Sequence, residues 1–207
     1  MLGVQCILSV ASAVPKDTAV ASLVPVALRL GGDKAWRVRW SVANSSVALG
    51  SAFGEEVTRG SLLATLETLS RDAEPEVRAA VAGGVAAFGA LLPADAACAR
   101  VLPIVSRLIA DDNEHVRAAV ASVIMGLSGL VGEEATATTL VPHFLSLLKD
   151  KTPEVHARGV IDPRSISSFH RARARVPGAT EHHLKARHSA QDARRQDDVA
   201  DVAACDH

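Results

Sequence analysis

The sequence predicts an all-α fold, an α-α superhelix of about four stacked helical hairpins, on three observations. First, residues recur in one register at intervals of 39: Asp33, Asp72, Asp111 and Asp150; Val38, Val77, Val116 and Val155; Leu30, Leu69, Leu108 and Leu147. Second, each interval holds two runs of apolar residues at helical spacing. Third, hydrophobic residues make up 48% of the 207, yet aromatics only 3% and Tyr is absent. Small aliphatics suit closely packed helices, because Ala and Leu lead the helix-propensity scale. A sandwich or barrel would draw on aromatic and β-branched residues together. The apolar content excludes wholesale disorder. A formal net charge of −1 gives no electrostatic case for nucleic acid or an acidic membrane as partner.

The elements follow in chain order. Residues 1–15 form a partial repeat, since Val4, Ile7 and Val10 fit the second helix of an earlier unit. The same run imitates a signal peptide, but no basic residue precedes it and Lys16 follows it, so a helix fragment is preferred. The repeats that follow are about 16–54, 55–93, 94–132 and 133–162. Their first helices are predicted at Ala19–Leu30, Ser61–Leu69, Ala99–Ile109 and Thr138–Leu148. The column Pro25, Ala64, Pro103 and Pro142 is placed at the head of these helices, where a missing N–H costs nothing. Each first helix ends near the repeating Asp, and a short turn leads to the second helix. Val116, Val120, Ile124 and Leu127 give that helix one apolar face, as do Val77, Val81, Val85 and Phe88. Pro75 and Pro153 sit in its first turn. Gly83-Gly84 reads as a soft spot or a close helix contact, and the glycines of 126–132 as a helix end. One hairpin cannot bury its own apolar face, whereas stacked neighbours can, so 1–162 is a solenoid whose two ends expose apolar faces. No apolar stretch is long enough to span a bilayer.

Little in the chain points to chemistry. Cys6, Cys98 and Cys205 are far apart and odd in number, which reads as incidental thiols of a reducing compartment. The location expected is therefore cytoplasmic, with the nucleus as a second compartment. Asn44-Ser45-Ser46 is a chance sequon inside a helix. Ser, His and Asp occur in no catalytic motif, and no ligand spacing accompanies His170, His182, His183 and His188. The chain is read as not an enzyme, with no cofactor and no metal. The carboxylates of Asp33, Asp72, Asp111 and Asp150 can accept backbone N–H bonds ahead of the second helices. An Arg stands six residues after each of the first three, at Arg39, Arg78 and Arg117, and can reach the Asp of its own or an adjacent repeat. His156 takes the fourth Arg position, so a ladder of such pairs ends there.

Period, Asp and Val-Arg together resemble HEAT repeats. Longer strings narrow the resemblance to the scaffold (A) subunit of protein phosphatase 2A. They are Asp33-Lys34-Ala35-Trp36-Arg37-Val38-Arg39-Trp40; Glu76-Val77-Arg78-Ala79-Ala80; His115-Val116-Arg117 leading to Ala121-Ser122-Val123-Ile124-Met125-Gly126-Leu127; and Leu145-Ser146-Leu147-Leu148-Lys149-Asp150 with Pro153-Glu154-Val155. The resemblance covers about residues 4–158 and corresponds to central repeats. It implies a non-catalytic scaffold that binds regulatory B subunits directly through its intra-repeat turns. The catalytic subunit would dock on further repeats that this chain lacks, so the chain is expected to be a fragment. The residues placed for partner contact are Lys34, Trp36 and Arg37, matching the family ridge, and on the other turns Glu74, Glu76, Asn113, Glu114, His115, Lys151 and Glu154. Trp and Arg are common interface anchors. The bland reading packs Trp36 between repeats and leaves the charged turns solvated. The family also has the Asp–Arg ladder. The alternative function is a generic HEAT-repeat adaptor with unrelated partners; a HEAT-like lyase is disfavoured because no acid/base or metal cluster accompanies the repeats.

After about Val160 the pattern stops. Residues 163–207 hold only six Val, Ile, Leu or Phe among 45, too few to offset the entropy of ordering, and are read as a disordered tail. Arg171, Arg173, Arg175 and Arg194-Arg195 are interrupted by acids, so a basic targeting patch is the weaker reading. The family would continue with more repeats here, so the tail is expected to be a frameshift, a retained intron or a truncated gene model.

Overall fold

The computed structural model describes residues 2–155, and these are helical throughout, with no strand among them. The tail 163–207, its basic patch, His156 and Cys205 lie outside the described residues. Helix α1, Leu2–Ala13, precedes three full hairpins and part of a fourth. In the first hairpin, α2 is Lys16–Gly31 and α3 spans 36–53. In the second, α4 spans 55–69 and α5 is Pro75–Gly89. In the third, α6 spans 94–109 and α7 spans 114–131. The fourth begins with α8, 133–147. The second helices α3, α5 and α7 stack on one another, and α1 packs on the first hairpin as an earlier second helix would.

The core fills the columns that the repeat marks. Leu69, Leu108 and Leu147 are buried, as are Val77, Val116 and Val155. Val81, Val85 and Phe88 of α5 and Val120, Ile124 and Leu127 of α7 are fully buried along one face. At roughly 25 cal/mol per Å² of apolar surface removed from water, each such side chain contributes about 1.5–3 kcal/mol. In α1, Val4 and Ile7 are buried but Val10 is 45% exposed, the one large apolar side chain so exposed among the described residues.

The first helices begin earlier than their apolar patterns suggested, at 55, 94 and 133 rather than at Ser61, Ala99 and Thr138. The cause is a single π turn in each: Thr58–Leu62, Ala97–Val101 and Thr136–Leu140. One extra residue in a turn shifts the phase of the 3.6-residue pattern, so residues before it no longer line up with those after it. The proline column is thereby moved from the helix head to the helix interior. Pro103 and Pro142 follow directly on π turns, where the altered pairing accommodates the missing N–H. Pro25 stands inside α2 on its exposed side. Ala64 follows a π turn without any proline, and α2 holds Pro25 without a π turn, so the turn and the proline occur independently.

The residue directly before each new hairpin forms another column of period 39, Pro15, Gly54, Pro93 and Gly132; Gly54 and Gly132 join their helices alone, whereas Pro15 and Pro93 end joints of two and four residues. The prolines hold φ near −54° and −59° with ψ near 143° and 150°. The glycines sit at φ 92°, ψ 176° and φ 81°, ψ 174°, a region essentially restricted to Gly. Thr58 and Thr136 secure the two glycine corners. Each hydroxyl donates either to the Gly carbonyl (Gly54 at 2.7 Å, Gly132 at 2.6 Å) or to one farther back (Gly50 at 3.1 Å, Ser128 at 3.3 Å).

The other glycine readings are corrected in part. Gly126 and Gly129 lie within α7, and only Gly132 ends it. A methyl group added at Gly83 would meet nothing, and at Gly84 only the Ser46 hydroxyl at 3.8 Å, so the pair makes no close helix contact. Equivalent positions in the neighbouring second helices do break, at Ser45 and Val123, while α5 runs through. Asn44 ends the first segment of α3 and is exposed, but Ser46 of its sequon is buried. The run 114–147 is long and apolar enough, by length and composition alone, to cross a membrane, contrary to the expectation that no such stretch exists. Gly132 breaks it into two helices that pack in neighbouring parts of the stack.

Candidate partner-binding ridge

The turns inside the hairpins line up along one edge because one guanidinium joins each turn to the next. Arg39 donates from Nε and Nη2 to both carboxylate oxygens of Asp72. Arg78 does the same to Asp111, at 2.7 and 2.9 Å, and Arg117 to Asp150, at 2.6 and 3.1 Å. The remaining nitrogen, Nη1, turns back to the carbonyls of its own turn: Asp33 and Lys34, Asp72 and Ala73, Asp111 and Asp112. Four or more donations per side chain need a planar fork, which Arg has and Lys lacks. Each Asp in turn accepts the backbone N–H two residues on, at Ala35, Glu74, Asn113 and Thr152. These bonds close the turn ahead of the helix; the residues that cap the helices are Ala35, Glu74 and Asn113, and of these only Asn113 caps with its side chain. Each Arg thus bonds its own turn and the Asp of the following repeat, which the sequence alone left open.

The pairs are largely sheltered; the Arg78 and Asp111 side chains are 18% and 9% exposed. The hydrogen bond from Arg39 holds the Asp72 carboxyl below its ordinary range. For Asp111, burial pushes upward, but the Arg78 guanidinium and the Asn113 N–H together outweigh it and the result is also low. The Arg117 hydrogen bond brings Asp150 down to about 2, with help from the Thr152 N–H and hydroxyl.

Around this ladder stand the residues placed for partner contact. Lys34 and Arg37 are exposed at the first turn, and Trp36 is half-buried with one part packed on the core. The Arg37 guanidinium lies 4.6 Å from the Trp36 ring centroid, a cation–π arrangement that steadies both. The bland and the functional readings of Trp36 therefore both have a physical basis: the ring wedges against the core and still presents surface at the turn. Glu76, Glu114, His115, Lys151 and Glu154 are exposed, and Glu74 and Asn113 are half-buried. All lie in the turns or the first residues of the second helices. No group of three His, Cys, Asp or Glu able to hold a metal occurs among the described residues.

The model of the PPP2R1A-like HEAT repeat family matches residues 55–132, two full periods of 39. Residues 55–132 are a protein phosphatase 2A A-subunit-like HEAT-repeat region. No curated protein matches the chain. Among solved structures, the crystal structure of Cex1p is similar, with a TM-score of 0.69 at 14% identity over 82% of this chain. That likeness shows the shared helical-repeat fold, and the chain spans about a third of the Cex1p chain, 33%. Together these give a helical-repeat fold that carries HEAT repeats at 55–132, an architecture generally found in non-catalytic scaffolds. In this HEAT region the columns legible beforehand were those of identical residues. The corners between hairpins escaped notice because Pro and Gly alternate there, although the column Pro15, Gly54, Pro93, Gly132 was visible in principle.

Proposed function

We propose that this chain is a scaffold or regulatory subunit of protein phosphatase 2A type that binds regulatory B subunits through the turns inside its hairpins. Contact centres on Lys34, Trp36 and Arg37, with Glu74, Glu76, Asn113, Glu114, His115, Lys151 and Glu154 extending it. The catalytic subunit is engaged through further repeats beyond those present here, in the cytoplasm and the nucleus. The observation that carries the reading is the family match at 55–132. Supporting it, the ladder aligns the turns on one edge, and the first of them presents a Trp–Arg stack, the residue types most often found as interface anchors.

The test is capture of purified B subunits by the full chain, followed by binding titration. Lys34→Ala and Arg37→Ala change exposed side chains and should weaken binding ~5-fold or more, as truncated anchors do. Trp36→Ala should weaken it further. Failure to bind any B subunit overturns the reading and leaves a HEAT-repeat adaptor with other partners, an alternative kept open because the family match stops at 55–132.

A further inference from the structure

Repeated positions carry the fold, so a charged cluster that breaks the repeat calls for another explanation. One occurs on the first-helix side, between hairpins two and three. Arg100 of α6 donates from Nε to the Glu67 carboxylate of α4 at 2.6 Å. Arg107 donates from Nη1 to Ser70 Oγ at 2.9 Å, and that buried hydroxyl donates to the Glu67 carbonyl at 2.7 Å. Arg71 stands in the turn just after α4, and its charge acts on the same carboxylate. All three guanidiniums act on it and hold it low, the hydrogen bond from Arg100 most strongly. The Glu67–Arg100 pair is not periodic: the equivalents of Glu67 are Leu28, Ser106 and Leu145, and those of Arg100 are Ser22, Ser61 and Thr139, while a cation recurs at Arg29 in the Arg107 column and at Lys149 in the Arg71 column.

Three cations thus surround one anion, leaving two positive charges without a balancing acid in the cluster. Asp72 and Asp111, the nearest acids of the turns, are engaged by Arg39 and Arg78. Arg107 is held from behind by a buried hydroxyl, and Arg71 and Arg100 are exposed. We infer that Arg71, Arg100 and Arg107 form a binding site for a phosphorylated side chain on a partner segment. A phosphate carries about −1.5 to −2 charges at neutral pH and three acceptor oxygens, which matches the surplus here, and guanidinium forks pair with it in bidentate geometry. Glu67 holds the site while it is empty by occupying Arg100. Arg100 and Arg107 lie on the first helix α6 and Arg71 in the turn after α4, beside Asp72, and phosphate recognition there does not depend on B-subunit binding.

The test uses the full chain and a fluorescent Gly/Ala/Ser peptide with one central phosphoserine, read by anisotropy. Saturable binding is expected, at least ~10-fold tighter than for the unphosphorylated peptide, with the Glu-substituted peptide between the two. Arg71→Ala touches an exposed side chain and should weaken binding ~5-fold or more without altering the circular dichroism. Glu67→Gln frees Arg100 and should tighten it several-fold, a gain that a purely structural ion pair would not produce. Equal binding of phosphorylated and unphosphorylated peptides, or no response to Arg71→Ala, or no tightening with Glu67→Gln, overturns the proposal.

Discussion

The two edges of the hairpin stack turn the chain by opposite means. On the edge inside the hairpins, side chains make the connections: each Arg reaches the carboxylate of the following repeat and two carbonyls of its own turn. On the edge between hairpins, backbone conformation does it, with either Pro in an extended conformation or Gly at positive φ directly before the next helix. The first device is electrostatic, long-range in sequence and open to pH. The second is conformational and local, and neither pH nor salt acts on it. The difference explains why the ladder repeats identical residues while the corners alternate: a bidentate pair across a fixed span needs the Arg fork and a carboxylate on a stem of one length, whereas two unrelated residues can each turn the chain.

Breaking the ladder should show the largest effect. Arg78→Ala leaves the sheltered Asp111 carboxylate and two turn carbonyls without their donor, and should cost about 3 kcal/mol, near the lower end for a broken buried pair because both groups keep some solvent. Arg78→Lys should recover less than half of that, since an ammonium lacks the fork. Urea melts measure both, and an unchanged midpoint for Arg78→Ala would show that the ladder orients the turns without stabilising the stack.

Acid should act on the same edge and leave the corners unchanged. The carboxyls of Asp72, Asp111 and Asp150 are held low when folded, so their contribution is fully present above the ordinary carboxylate range near pH 4 and is lost as pH falls. For Asp150 the loss runs down to about pH 2. Melts between pH 5 and 2 should therefore show falling stability, with a shallower fall in Arg117→Ala because Asp150 loses the partner that lowers it. Parallel curves for the two proteins would contradict this assignment.

The corners should give smaller changes that do not vary with salt or pH. Gly132→Ala meets no atom but forces a Cβ-bearing residue to φ 81°, at about 1–3 kcal/mol. Gly83→Ala, in open space inside α5, should stabilise by up to about 1 kcal/mol. A Gly132→Ala loss that grew with salt would place an electrostatic contact at that corner and blur the distinction between the edges.

Much of the fold was legible because it is periodic. Leu69, Leu108 and Leu147, or Val77, Val116 and Val155, recur because each fills the same niche between helices. The candidate ridge was legible for a second reason, the likeness of Asp33–Trp40 and later strings to one family. The starts of the first helices were hidden, because a π turn at Thr58, Ala97 and Thr136 slips the helical phase. So was the Arg71, Arg100 and Arg107 cluster, whose members come from two hairpins and share no column.

By itself, then, the sequence determined the period, the helical hairpin and the identity of the core columns, because burial in a repeated setting demands the same residue each time. Only the tertiary structure decided which Asp each Arg would take. At six residues within a turn and 33 residues across to the next repeat, both partners were open on sequence grounds. Stacking brings the following carboxylate into the fork and leaves the arginine's own turn to offer carbonyls.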